Sequence, residues 1–345
     1  MLLEPSDVQR DISFAVRSGL DGLTATGAGE RPDPVDVHGF LSDLELLRLE
    51  LPDAAGGLAF GLADAVGVCE ELGRRATADA YRAGTLLADL LLADGQTGAA
   101  AEVGAGRTVA AHAVGPGVLA RPEGDGYALS GQCALPDARP DAACYIVPAV
   151  RDGAVVLAAV AGDAPGVGLA PTRRDGVRRL TLTDVAPRAL SAPLHTPDGT
   201  PGPLLVRARI RQAAYLVGLA AGAHRLAVER AASRRQFGGT IGERQAVAFP
   251  LAEQYAHLEA ARLLVREAAW LADGGRDAAL GATQALACAA ESALRVTAHA
   301  VHVHGAAGLT REHQVGRFYE VAAVEATRWG APTVLWREAG SLRLR

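Results

Sequence analysis

The sequence predicts an α+β fold that is mostly α, with an N-terminal helical domain, a small middle β-sheet domain and a C-terminal four-helix bundle. Three observations carry this expectation. Apolar residues recur at helical spacing as far as about Thr97. Between about Arg107 and Leu194 the pattern shortens into strand-like runs, and long alanine-rich helical runs return from Leu204. The predicted domains span residues 1–106, 107–200 and 201–345.

In the first domain, Val8, Ile12, Ala15 and Val16 form one helical stripe, Leu41, Leu44 and Leu47 a second, and Ala63, Val66, Val68 and Leu72 a third. LPDAAGGLAFG (51–61) separates the last two as a glycine-rich loop, with Pro52 and Gly56-Gly57 as breakers. The middle domain reads as strands TVAAHAV, GYALSGQCAL, ACYIVPAV, AVVLAAVAG and RRLTLTDV, punctuated by Gly, Pro and Asp. Helices are then expected over 205–234, 243–273, 276–303 and roughly 313–328, with turns at Gly238-Gly239, Gly274-Gly275 and Gly305 to Gly308. Alanine-rich faces suit close packing in a bundle.

Composition narrows the function classes. The chain has 345 residues, 49% apolar and 21% charged, with a net charge of −5, and all 34 basic residues are arginine. No broad basic surface or motif points to nucleic acid. Cys69, Cys133, Cys144 and Cys288 are scattered without CxxC pairing, which suits reduced thiols. MLLEPSDVQRD does not read as a signal peptide, and no apolar run reaches spanning length, so a cytoplasmic location is expected. His302 and His304, with His313 nearby, are spaced so that i and i+2 diverge on a helix, and no metal is expected. GVG (166–168) and GAG (104–106) lack the context of a dinucleotide fingerprint and read as turns. Glu70-Glu71 reads most simply as a helix surface pair, with partial burial of Glu70 left open.

Four segments carry a family resemblance: LELLRLELPDAAGGLAFGLADAVGVCEELGR (45–74), GYALSGQCALPDARPDAACYIVPAV (126–150), RRQFGGTIGERQ (234–245) and VHVHGAAGLTREHQVGRFYEVAA (301–323). In order and spacing they resemble the acyl-CoA dehydrogenases, flavoenzymes built as helices, sheet and helical bundle. The resemblance implies FAD shared across a subunit interface. Arg234, Gln236 and Phe237 match the family's Arg-x-x-Phe-Gly turn on the adenosine diphosphate part, with Gln245 at the next helix start. A guanidinium suits a diphosphate. Alternatively, Arg234 and Arg235 only offset the negative end of a helix. His302, Gly305 and Gly308 fall on the second flavin-contacting turn, His302 standing where the family usually has Gln.

The same resemblance leaves the catalytic residue unknown. The family's proton-abstracting glutamate falls on Trp329, and the position some relatives use instead falls on Ala208. Glu325, four residues before Trp329, is open to two readings, a substitute base or a solvated helix carboxylate. At the flavin ring, Leu135 and Asp137 replace a Trp and a Thr, and the preceding polar loop is shortened to AHAVGPGVL (111–119). The expectation is a non-catalytic subunit of a hetero-oligomer that completes its partner's FAD site, with Trp329 filling the vacant acyl pocket. The implied partners are an acyl-CoA or acyl-carrier-protein substrate, a homo- or hetero-oligomer (dimer or tetramer), and an electron-transferring flavoprotein. A flavin-dependent monooxygenase or a non-redox enzyme on the same fold, in secondary, lipid or polyketide metabolism, is the alternative.

Overall fold

The computed structural model describes residues 4–24, 33–77, 80–115, 117–136, 142–173, 176–236, 238–310 and 313–345. In chain order the helices are α1 (Asp7–Thr24), α2 (Pro34–Asp43), α3 (Leu62–Arg74), α4 (Ala80–Ala93) and α5 (Thr97–Gly104). Strands follow: β1 (Ala110–His112), β2 (Val118–Glu123), β3 (Gly126–Pro136), β4 (Cys144–Arg151), β5 (Ala154–Ala161), β6 (Val167–Pro171), β7 (Val177–Val185) and β8 (Ala189–Leu190). The chain then runs through α6 (Pro203–Ser233), the short hairpin β9 (Arg235–Gln236) and β10 (Gly239–Thr240), α7 (Gln245–Asp273), α8 (Ala279–His304), α9 (Gln314–Glu325) and α10 (Pro332–Arg343). None of the described helices is long and apolar enough to cross a membrane.

Two compact units result. One comprises Met1–Pro32, Gly61–Thr77 and Arg209–Arg345; the other comprises Asp33–Phe60 and Ala78–Ala208. In the second unit an eight-stranded sheet has the order β6-β7-β3-β2-β4-β5-β8, with β1 pairing β4 in parallel. Strand β5, between β4 and the short edge strand β8, reads AVVLAAVA because its core residues Val156 to Val160 are fully buried, leaving no polar face. The register slips between Leu129 and Gly131 of β3, where Gly131 has φ +142° and an added Cβ would lie 2.0 Å from the Gly117 carbonyl oxygen. That bulge requires glycine.

The helical unit is organised around α6, whose residues from Arg209 to Ala223 are all buried. It crosses α3 at backbone distance. A Cβ on Gly218 would lie 1.9 Å from the Glu70 carbonyl oxygen, and one on Gly73 would lie 2.0 Å from that of Tyr215. Small residues on facing ridges permit this approach. The Tyr215 hydroxyl donates to the Thr77 carbonyl at 2.8 Å, so this buried polar tip is satisfied.

Three departures from the sequence reading have local causes. The stripe through Leu41, Leu44 and Leu47 is not one helix, because Glu45 takes a left-handed φ of +59° and a separate 3-10 turn follows at Leu46–Arg48. GVG is only partly a turn: Gly166 bends at φ +88°, and Val167 then begins β6. A fifth C-terminal helix, α10, starts at Pro332, whose ring suits a first helical turn.

Candidate cofactor-contact and base positions

The segment after α6 folds as a projecting hairpin. The Arg234 amide continues the helical pattern to the Arg230 carbonyl (2.9 Å), and its own carbonyl accepts from Ile241 (2.9 Å). Gln236 pairs with Gly239 and Arg235 with Thr240 across the turn. Gly238 supplies the required positive φ of +84°. The entry to α7 is fixed by Glu243, which accepts from the Thr240 hydroxyl at 3.0 Å. Arg234, Gln236 and Gln245 are all exposed. Phe237 lies outside the described residues.

The second turn ends α8. Gly305 has φ +63° and ψ −142°, a combination open essentially to glycine, and nothing lies within 4 Å of a Cβ built there. Gly308 is buried for a different reason: its Cβ would sit 2.8 Å from the Val301 carbonyl oxygen. His302 is exposed and stacks on His299, with ring centroids 6.3 Å apart. Burial, with the neighbouring His302 and His224, holds the His299 imidazole below its ordinary proton affinity. His304 turns inward, its Nδ1 against the Ala300 carbonyl (2.7 Å), and His313 caps α9 by accepting from the Val315 amide (3.2 Å). Burial, then His304 and Arg230, likewise lowers His313. Among the described residues, no three His, Cys, Asp or Glu side chains gather where they could hold a metal ion.

The open turn at the Gly305 backbone and the exposed guanidinium and amide donors suit a diphosphate and the sugar hydroxyls beside it. The other end differs. Leu135 is fully buried in the hydrophobic cluster of the sheet with Leu129, Val147 and Leu180, and presents no polar atom to a flavin ring. Asp137 lies outside the described residues. The stretch 111–119 is not a free loop: β1 runs into it, and Val114 bridges Ala134.

At the position that the resemblance assigns to the base, the chain turns between α9 and α10, with Trp329 half-buried and Gly330 at φ +124°. Ala208 is buried on α6. Glu325 is not a solvated helix carboxylate. It is 4% exposed, and accepts from Arg328 Nε (2.9 Å) and Gln212 Nε2 (3.0 Å). Gln212 also donates to the Glu325 carbonyl at 2.8 Å. Next to Ala208 in the chain, Arg209 is equally enclosed, donating to Thr283 (2.9 Å) and Glu338 (2.9 Å). Every carboxylate in this turn is thus matched to a guanidinium.

A second charged network departs from the simplest sequence reading, a surface pair at Glu70-Glu71: Glu70 is partly buried, as that reading left open, and Glu71 is enclosed. Glu71 is 4% exposed and takes a bidentate bond from Arg17 at 3.1 and 2.7 Å. Glu70 receives Arg74 (2.9 Å) and Arg262 (2.8 Å). Its hydrogen bond to Glu71 raises the proton affinity of Arg17. For Arg262, burial opposes the charge, and Glu70 and Glu259 outweigh it. The available signal was helical period: Glu71 follows Val68 by three residues, on the apolar side of α3.

Comparison with known proteins agrees with this fold. Residues 203–338 match the family described as acyl-CoA dehydrogenase, C-terminal domain. The chain is 31% identical over 327 residues to the acyl-CoA dehydrogenase FadE27 of Mycobacterium tuberculosis, covering 87% of this chain and 86% of that protein. Among solved structures it superimposes on a chain of the ChsE4-ChsE5 complex from Mycobacterium tuberculosis with a TM-score of 0.85 and 24% identity, covering 100% and 99% of the two chains. The Tcur3481-Tcur3483 steroid ACAD gives a TM-score of 0.83 at 26% identity, with 97% of each chain covered. The chain belongs to the acyl-CoA dehydrogenase family.

Proposed function

We propose that this chain is the non-catalytic subunit of a hetero-oligomeric acyl-CoA dehydrogenase, gripping the adenosine diphosphate part of an FAD whose ring lies on a partner chain. The observation that carries the reading is the base position. Trp329 and Ala208 cannot accept a proton, and the nearby carboxylate of Glu325 is buried against Arg328 and Gln212. A general base must come within hydrogen-bond reach of the substrate proton with a lone pair able to accept it. The retained half of the cofactor site supports the same reading. Arg234, Gln236 and Gln245 stand exposed around the hairpin turn at Gly238, and Gly305 leaves room at the second turn.

FAD bound there would supply the hydride acceptor. The residues of this chain would hold its diphosphate by charge-assisted bonds from Arg234, with His302 and the Gly305 backbone on the other side. The substrate is an acyl thioester, on CoA or an acyl carrier protein, bound by the partner. Two of the structural relatives come from two-component assemblies, ChsE4-ChsE5 and Tcur3481-Tcur3483, which supports a paired arrangement.

The test is flavin content per chain by visible absorbance, measured alone and after co-expression with a neighbouring dehydrogenase chain that carries the glutamate. The expected result is a colourless chain alone and one FAD per pair, lost in Arg234→Ala. One tightly held FAD per chain in a homo-oligomer would overturn the proposal and favour the monooxygenase alternative.

A further inference from the structure

A groove of about 920 Å³ opens on the helical unit between α1, α3, α6 and α7. None of the cofactor-contact or base positions lines it. Its volume lies within the range of small-molecule sites. The floor is made of short aliphatic side chains, among them Val66, Ala214, Val217, Ala221, Leu258 and Val265. Its lips carry two aromatics left in water, Phe14 at 70% and Tyr255 at 54% exposure. An apolar floor with exposed aromatic edges offers burial to an apolar body.

Arginines outnumber carboxylates among the side chains that line the groove. Six arginines line it, Arg10, Arg17, Arg74, Arg225, Arg262 and Arg266, against four carboxylates, Asp11, Glu70, Glu71 and Glu259. The whole chain carries −5. Arg10 and Arg225 also engage Asp7 and Glu229, which lie outside the lining. Arg17, Arg74 and Arg262 are held in fixed orientation by Glu70 and Glu71. A guanidinium has five N–H donors, so one bidentate carboxylate leaves donors over. Arg17 spends Nε and Nη2 on Glu71. Its ordering is already supplied by the fold, which lowers the entropy lost when a second anion binds.

We propose that this groove binds a single-chain anionic amphiphile, its acidic head against the arginine rim and its apolar body along the Val66–Val217–Val265 floor under Phe14 and Tyr255. The inference does not depend on the cofactor reading. A carboxylate or a phosphate head meets the same donors, and the test separates them.

Decanoate, decyl phosphate, decan-1-ol and decyltrimethylammonium are titrated calorimetrically into the purified full chain. At least one anion is expected to bind about tenfold tighter than the alcohol. Arg10→Gln with Arg225→Gln should weaken the anion about tenfold and leave the alcohol unchanged. Ala63→Trp, which fills the groove from α3, should abolish binding. Phe14→Ala removes an exposed ring, so folding is preserved, and should weaken every ligand. Decanoate alone or decyl phosphate alone binding would assign the head group. The proposal is overturned if the cation or alcohol binds as tightly as both anions, if Phe14→Ala binds unchanged, or if no ligand binds up to about 1 mM.

Discussion

Glu325→Gln separates a structural carboxylate from a hidden catalytic base. The change keeps shape but removes the charge that faces Arg328, whose side chain is 2% exposed. Arg328 donates to Glu325 through both Nε and Nη2, so the variant leaves a buried guanidinium without its counter-charge. Breaking a buried pair from one side costs about 3–5 kcal/mol. Unfolding entropy near 2 cal/mol/K per residue gives about 0.7 kcal/mol/K for 345 residues, so the melting midpoint should fall by about 4–7 °C. Glu325→Leu combined with Arg328→Met should restore most of this loss, since an apolar pair of similar volume needs no desolvation. Gln212 stays satisfied there, because it also donates to the main-chain carbonyl of residue 325. Differential scanning calorimetry reads both. A single variant melting within about 1 °C of the parent, or a double variant melting below the single, would refute the buried-pair argument.

Three further outcomes follow from other parts of the molecule. Gly218→Ala should lower stability by about 3 kcal/mol in urea denaturation, since its Cβ meets backbone of α3 rather than a movable side chain, whereas Gly22→Ala on open α1 should raise stability by about 0.5–1 kcal/mol. His299, whose folded proton affinity is lowered by burial and then by His302 and His224, favours the fold fully above its ordinary value near 6.5. As pH falls below that value the unfolded chain takes up the proton first, so stability declines, and His299→Gln should flatten the decline seen in urea midpoints between about pH 7.5 and 5.5. Burial pushes the Cys133 thiol up to about 12 and Cys144 up to about 11. In native protein at about pH 8 both should resist iodoacetamide for as long as the sheet stays folded, with mass spectrometry as the check.

The sequence by itself determined what local period and backbone chemistry can encode. Alternation and apolar runs located β3, β4, β5 and β7; helical spacing located α1, α3 and the long helices α6 to α8. Gly238 and Gly305 marked turns, and both adopt the positive φ that only glycine reaches readily. The ordered motifs around Arg234 and Gly308 pointed to the family, and the resemblance sets Trp329 and Ala208 where a glutamate is expected. Tertiary structure alone decided the fate of the carboxylates. Glu70 meets Arg262 across 192 residues, Glu71 meets Arg17 across 54, and Glu325 meets Gln212 across 113. Spacing rules reach only one or two turns along a helix, so they cannot name these distant partners. Burial depends on which helices cross, and that crossing was set by contacts such as Gly218 against Glu70, between side-chain-free surfaces that no periodicity reveals.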